Sequence, residues 1–116
     1  MPTASLSSCV LTWPDLATVR SAVCESAKRL SRDFPEVLAV GIFGSGARGT
    51  YGPGSDVDVV IVLERSNAPA LKRSLRYASA LDAVPVGVDL VVYTMREVER
   101  GALSWLDVVD WVCPTR

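Results

Sequence analysis

Two apolar segments flank a glycine-rich stretch in the middle of the chain. Residues 37 to 43 read VLAVGIF, residues 57 to 63 read VDVVIVL, and residues 44 to 54 between them read GSGARGTYGPG. Short apolar runs bounded by glycine are typical of buried strands, and apolar residues on both faces of the second run place it inside a sheet. The stretch between them contains Gly52, Pro53 and Gly54. No crossover helix of several turns fits there.

Helical patterns lie on both sides of these strands. Thr12 is the predicted N-cap of a first helix that ends before Pro35 and whose apolar residues are Leu16, Val19, Val23, Ala27 and Leu30. A second helix is predicted over residues 67 to 81, capped by Asn67, with one apolar stripe formed by Leu71, Leu75, Ala78 and Leu81.

The C-terminal third predicts one more strand and one more helix. Residues 86 to 93 read VGVDLVVY and are apolar except for Asp89. A helix is predicted from Met95 to about residue 106, with a break near Gly101, and the closing DVVDWVC fits either a helix end or an edge strand. The chain of 116 residues therefore predicts one α/β domain (α+β) over residues 1–116, a small mixed sheet flanked by helices, with residues 1–11 as a loose arm.

Composition excludes several classes of function. The chain has 12 basic and 13 acidic residues, so a polymeric nucleic acid is not the expected partner. It has no histidine, which removes imidazole bases and His-based zinc sites. We expect no membrane span, a cytoplasmic location, and free thiols at Cys9, Cys24 and Cys113.

Carboxylates must then carry any acid–base or metal chemistry. Asp56 and Asp58 are two residues apart at the start of a strand, so their side chains point to the same face. Asp89 lies in the next predicted strand, where an unpaired carboxylate among apolar residues would be unfavourable. Carboxylate oxygens suit Mg²⁺, which shares its ligands with substrate phosphates. The three aspartates predict a magnesium site for a nucleotide.

The glycine-rich stretch predicts a phosphate-binding loop. Gly44, Ser45 and Gly46 follow the first strand directly, so the backbone can approach a phosphate and offer amide donors together with the Ser45 hydroxyl. Arg48 can add a cationic contact to the same phosphates.

These motifs resemble the DNA polymerase β-like nucleotidyltransferase superfamily. Gly44 and Ser45, ten residues, and then Asp56 and Asp58 form its signature. The fuller string is similar to the minimal nucleotidyltransferases, whose pattern Gly-Ser-x-Ala-Arg-Gly followed by Ser-Asp-x-Asp is matched from Gly44 to Gly49 and from Ser55 to Asp58. Asp89 lies where that family has its third carboxylate.

The resemblance implies a reaction and a partner. Asp56 and Asp58 would bridge two Mg²⁺ ions, Asp89 would hold the second ion and help deprotonate the acceptor, and Gly44, Ser45 and Arg48 would bind the triphosphate. Minimal members resemble antitoxins that attach AMP from ATP to a tyrosine of a HEPN-type toxin. Magnesium, ATP or another NTP, and such a toxin are therefore the expected cofactor, substrate and partner.

Two other functions compete with this one. Gly44-x-Gly46-x-x-Gly49 with Glu64 imitates a dinucleotide-binding fingerprint, but that motif requires the crossover helix that does not fit here. A catalytically inactive binding subunit is the other alternative. Trp105 and Trp111 are expected to serve in packing. Lys72, Arg73 and Arg76 are expected to form a solvated face of the second helix.

Overall fold

The described part of the chain contains three α-helices, one 3₁₀ turn and four strands. A computed structural model describes residues 15–44, 56–104 and 109–112. Its elements in chain order are α1 (Leu16–Asp33), β1 (Val37–Phe43), β2 (Val57–Leu63), α2 (Ala70–Ala78), a 3₁₀ turn (Ser79–Leu81), β3 (Val88–Thr94), α3 (Met95–Glu99) and β4 (Val109–Trp111). The predicted fold class, a mixed sheet with helices, is confirmed. In these ranges no helix combines the length and apolarity that crossing a bilayer requires.

Helix α1 is capped by Asp15. Its carboxylate accepts a 2.8 Å hydrogen bond from the backbone N–H of Thr18, which satisfies one of the free amides of the first turn. The prediction that Thr12 caps this helix is therefore wrong, since the helix begins only at Leu16. Its end at Asp33, before Pro35, is as predicted.

The sheet has the strand order β3-β2-β1-β4. β1 pairs antiparallel with both β2 and β4, whereas β2 and β3 are parallel. The antiparallel pairing of β1 with β2 excludes the dinucleotide-binding alternative, because that motif needs two parallel strands joined by a helix. The closing segment is an edge strand, in which Trp111 lies opposite Gly41. Trp105, Cys9 and Cys113 lie outside the described residues.

The hydrophobic core lies between α1 and one face of the sheet. Alternate residues of β2, from Val57 to Leu63, have no exposed surface, and neither do Val19, Val23, Ala27 and Leu30 of α1. The other face of β2 presents Asp58 and then the buried Val60 and Val62. The prediction that β2 is an interior strand is confirmed. Cys24 is a half-buried thiol that donates to the Val112 carbonyl at 3.5 Å.

Helix α2 has the opposite orientation from the one its apolar stripe predicts. Its buried residues are Arg73 and Tyr77, whereas Leu71 and Leu75 are 74% and 70% exposed. Leu81, in the following 3₁₀ turn, is buried. The helix begins at Ala70, and its N-cap is Pro69 rather than the predicted Asn67, without a capping side-chain hydrogen bond. Arg73 does not belong to a solvated face.

Arg73 connects three elements of the fold. Its guanidinium donates to the carbonyls of Ala68 and Val92, and at 2.6 Å to the carboxylate of Glu97 in α3. Glu97 also accepts a 2.8 Å bond from the Thr94 backbone N–H, and the Thr94 hydroxyl accepts one from the Glu97 N–H, which completes a capping box. The bond from Thr94 and the Arg73 guanidinium hold the pKa of Glu97 below its ordinary value of 4.5, against its partial desolvation.

We expect acid to weaken this connection. Because the folded pKa of Glu97 is lowered, its contribution to stability is complete above pH 4.5 and is lost as the pH falls through the lower folded value. Glu97→Gln should reduce the free energy of unfolding at neutral pH and make it decline less steeply in acid. Urea denaturation at pH about 7 and about 3.5 measures both effects. Glu99→Gln, exposed on the same helix, is the control, and an unchanged acid dependence in Glu97→Gln would contradict this account.

Candidate catalytic site

Asp58 and Asp89 lie opposite each other on neighbouring strands. The register of the parallel pair β2 and β3 makes their Cα atoms partners, and neighbouring strands are about 4.8 Å apart. Residues paired in this way point to the same face of the sheet, which is the face away from α1. Asp58 is half-buried and Asp89 is exposed. The sequence-based expectation that Asp89 is a desolvated carboxylate in an apolar strand is therefore wrong, and its position is instead defined by the neighbouring Asp58.

Gly44 brings the backbone against the Asp58 carboxylate. It follows β1 directly and has a φ of +67°, a conformation that favours glycine. A Cβ atom at this position would overlap Oδ2 of Asp58. Both the turn and the close approach therefore require glycine here. Gly44, the first residue of the predicted phosphate loop, lies beside Asp58, one of the predicted metal ligands.

Asp56 lies over a second glycine, Gly87. A Cβ atom on Gly87 would be 2.5 Å from Oδ1 of Asp56, and the Val57 N–H donates to the Gly87 carbonyl at 2.9 Å. Gly87 thus allows the Asp56 carboxylate to lie beside the segment that leads to Asp89. Sequence reasoning missed this residue. Its signal was a glycine inside an apolar strand pattern, which often marks a close approach of another group.

The donors at this edge of the sheet are oxygen atoms. Asp56 and Asp89 form no ion pair with any side chain in the described ranges, and those ranges contain no group of three or more His, Cys, Asp or Glu side chains close enough to bind one metal ion jointly. The structure therefore brings Asp58 and Asp89 together and places Asp56 beside Gly87, without gathering all three. Carboxylates without histidine or cysteine fit Mg²⁺ and do not fit zinc.

The remaining predicted binding residues, Ser45 and Arg48, lie outside the described residues. Gly44 is the part of the predicted phosphate loop that the structure describes. Its carbonyl and amide belong to the turn that joins β1 to that loop, at the same end of the sheet as the start of β2 and β3. The roles of Ser45 and Arg48 in binding a nucleotide remain predictions.

A family model for the nucleotidyltransferase domain matches residues 23–112, which span most of the chain. The chain belongs to the nucleotidyltransferase domain family. The family indicated by Gly44, Ser45 and the Asp56-x-Asp58 motif is thereby confirmed, and it is a family of transferases. The match extends from α1 through β4 and includes every predicted site residue.

Two solved structures are similar to this nucleotidyltransferase domain. A protein of Sulfolobus solfataricus provisionally assigned as a nucleotidyltransferase superposes with a TM-score of 0.64 at 21% identity, over 87% of this chain and 89% of that one. A toxin–antitoxin complex with AMP-PNP gives a TM-score of 0.48 at 22% identity, over 80% of this chain and 74% of that one. The first similarity establishes the shared fold. Comparison with curated proteins gave no match.

Replacement of Gly44 tests the contact with Asp58. Gly44→Ala should lower the free energy of unfolding both by the strain of a positive φ, about 1 kcal/mol, and by the overlap with Asp58, about 1–3 kcal/mol more. Gly101→Ala is the matched control, because Gly101 has a φ of +93° but, among the described residues, no atom is nearer to its added Cβ than the Ser104 hydroxyl at 3.9 Å. Urea denaturation compares the two. Equal losses in both variants would mean that the carboxylate does not press against Gly44.

Proposed function

We propose that this nucleotidyltransferase domain transfers AMP from ATP to a hydroxyl group with the help of magnesium. The observation that carries this proposal is the register of β2 and β3, which places Asp58 opposite Asp89 while the Gly44 turn lies against Asp58. A pair of carboxylates next to a glycine turn suits a metal-bound triphosphate. The order of these features along the chain is that of the nucleotidyltransferase signature.

Each residue has a distinct role in the proposal. Asp56 and Asp58 would hold two Mg²⁺ ions, and Asp89 would hold the second of them. Bound magnesium would supply charge neutralisation on the triphosphate and activation of the acceptor hydroxyl. Gly44, Ser45 and Arg48 would position the phosphates with amide, hydroxyl and guanidinium donors and stabilise the charge that develops on the leaving group.

The proposed reaction balances without any further reactant. The acceptor oxygen forms a bond to the α-phosphorus of ATP, and the bond from that phosphorus to its bridging oxygen breaks, so that pyrophosphate leaves. The proton of the hydroxyl passes toward Asp89, which is exposed and therefore accessible to it. The product is an acceptor that carries AMP.

We further propose that the acceptor is a tyrosine of a HEPN-type toxin, which the domain neutralises as an antitoxin. The support is the resemblance of the segment from Gly44 to Asp58 to minimal nucleotidyltransferases. A tyrosine hydroxyl suits the site because it is an oxygen nucleophile that a nearby carboxylate and a metal ion can deprotonate.

Replacement of single carboxylates tests the enzyme. The variants Asp56→Asn, Asp58→Asn and Asp89→Asn should each lower the rate of AMP transfer by at least about 100-fold, because an amide binds Mg²⁺ poorly. The measurement is the intact mass of a HEPN-type candidate partner after incubation with ATP and Mg²⁺. Asp33→Asn, at the exposed end of α1, is the control and should transfer normally. Tight ATP binding without any adduct would instead favour an inactive binding subunit.

Gly87→Ala tests the position of Asp56 without removing a carboxylate. The added methyl group would displace the exposed Asp56 side chain, which can move, so the unfolding free energy should change by less than about 1 kcal/mol. The apparent KM for Mg-ATP should rise by about tenfold. Steady-state kinetics with Gly101→Ala as the control measures the effect. An unchanged KM would show that the place of Asp56 beside Gly87 is not needed for nucleotide binding.

A further inference from the structure

The outer side of α2 carries exposed apolar residues. Leu71 and Leu75 are one helical turn apart and 74% and 70% exposed, and Ala78 continues the row one turn further on. A leucine that becomes fully buried contributes about 1.5–3 kcal/mol to stability. The domain does not use this contribution at either position, although both residues belong to a helix that packs against β3.

The contacts on the inner side of α2 fix this orientation. Arg73 is bound by Glu97 and by the carbonyls of Ala68 and Val92, and the Tyr77 hydroxyl donates to the Glu36 carboxylate at 2.6 Å. The Tyr77 ring also packs edge-on against Phe34. Rotation of the helix to bury the leucines would break all of these bonds. The leucines are therefore held facing outward by the fold itself.

The row of apolar residues leads into a recess. A cavity of about 300 Å³ lies beside Ala78 and is lined by Leu81, Asp82, Val84, Val86, Val88 and Leu90. Apart from Asp82, its lining side chains are aliphatic and can contact an apolar side chain, although polar atoms form about as much of its surface as apolar atoms do. The row Leu71, Leu75 and Ala78 thus continues into a depression beside β3, which is an edge strand of the described sheet.

Cations border this apolar row on one side. Lys72 and Arg76 are also one turn apart and both are exposed. The Arg76 guanidinium lies 5.0 Å above the Phe34 ring and 3.6 Å from the Glu36 carboxylate, which keeps it on this flank of the helix. The opposite flank carries Ser74 and no charge. A binding partner that matches this surface has an apolar stripe with carboxylates on one side.

We propose that this surface, defined by Leu71, Lys72, Leu75, Arg76 and Ala78 together with the recess, docks an amphipathic helix of a partner protein. The partner's apolar residues recur at helical spacing and Asp or Glu residues border them on the side that meets Lys72 and Arg76. A second copy of the chain fits less well. In a symmetric antiparallel pair of α2 helices, the two cationic flanks would lie next to each other and repel.

The docking surface and the carboxylates share one segment of the chain. Val86, Val88 and Leu90 line the recess, whereas Gly87 lies under Asp56 and Asp89 points to the other face of the sheet. A partner seated in the recess therefore lies against the back of the segment that carries Asp89. That this partner also presents the acceptor hydroxyl rests on the proposed function; the docking itself does not.

A designed peptide tests the surface without nucleotide or metal. The probe is a fluorescein-labelled helical peptide with leucines at positions i, i+4 and i+7 and glutamates along one flank, and its counterpart has lysines in place of the glutamates. Fluorescence anisotropy should show preferential binding of the glutamate peptide. Leu75→Ser should weaken this binding at least about tenfold. Lys72→Glu should weaken it about fivefold and strengthen binding of the lysine peptide.

Two control variants separate this inference from the proposed function and from misfolding. Met95→Ser changes another exposed apolar residue and should bind the glutamate peptide normally, and so should Asp58→Asn. Circular dichroism should show that Leu75→Ser melts like the wild type, since Leu75 is exposed. Three outcomes would overturn the inference: no binding of the glutamate peptide, equal binding of both peptides, or a dimer in sedimentation that Leu75→Ser dissociates.

Discussion

Seven residue pairs join β2 to β3 in parallel, from Val57 with Val88 to Leu63 with Thr94, and the hydrogen bond from the Val57 N–H to the Gly87 carbonyl extends the pairing beyond them. The candidate site depends on this register. A shift by one residue would turn Asp89 toward the hydrophobic core, where a carboxylate is strongly unfavourable. The same shift would turn Val88 and Leu90 away from the core. The apolar residues that hold the strands in register therefore also hold Asp58 opposite Asp89. The site is a consequence of how the core packs.

Much of the sheet could be predicted because its signals are local. The strands β1 and β2 occupy the predicted residues, since short and largely apolar runs have few other ways to become buried. β3 begins two residues later than predicted, after Gly87. The closing segment could not be assigned, because its three-residue strand depends on pairing with β1 rather than on its own pattern. Asp56 and Asp58 could be assigned to one face from the sequence because period-two geometry needs no tertiary information, whereas the position of Asp89 opposite Asp58 depends on the register of β2 and β3.

The orientation of α2 could not be predicted, because long-range polar contacts determine it. Periodicity alone favours burial of Leu71 and Leu75, yet Arg73 and Tyr77 face inward toward Glu97 and Glu36, which are 24 and 41 residues away in the chain. The contact of Gly87 with Asp56 could not be predicted either, because it depends on the pairing of two strands that are far apart in sequence. The apolar stripe of α2 predicted a side that faces the core. The structure exposes that side, and it is the side that we propose as the binding surface for a partner.

A crystal structure with Mg²⁺ and a non-hydrolysable ATP analogue tests the central claim most directly. We predict metal ions about 2.0–2.1 Å from carboxylate oxygens of Asp56, Asp58 and Asp89, with the triphosphate against the Gly44 turn. Such a result would show that the three aspartates, which the described structure does not gather around one point, converge when metal and nucleotide bind. A nucleotide bound elsewhere on the domain, or a metal that contacts none of the three carboxylates, would contradict the account.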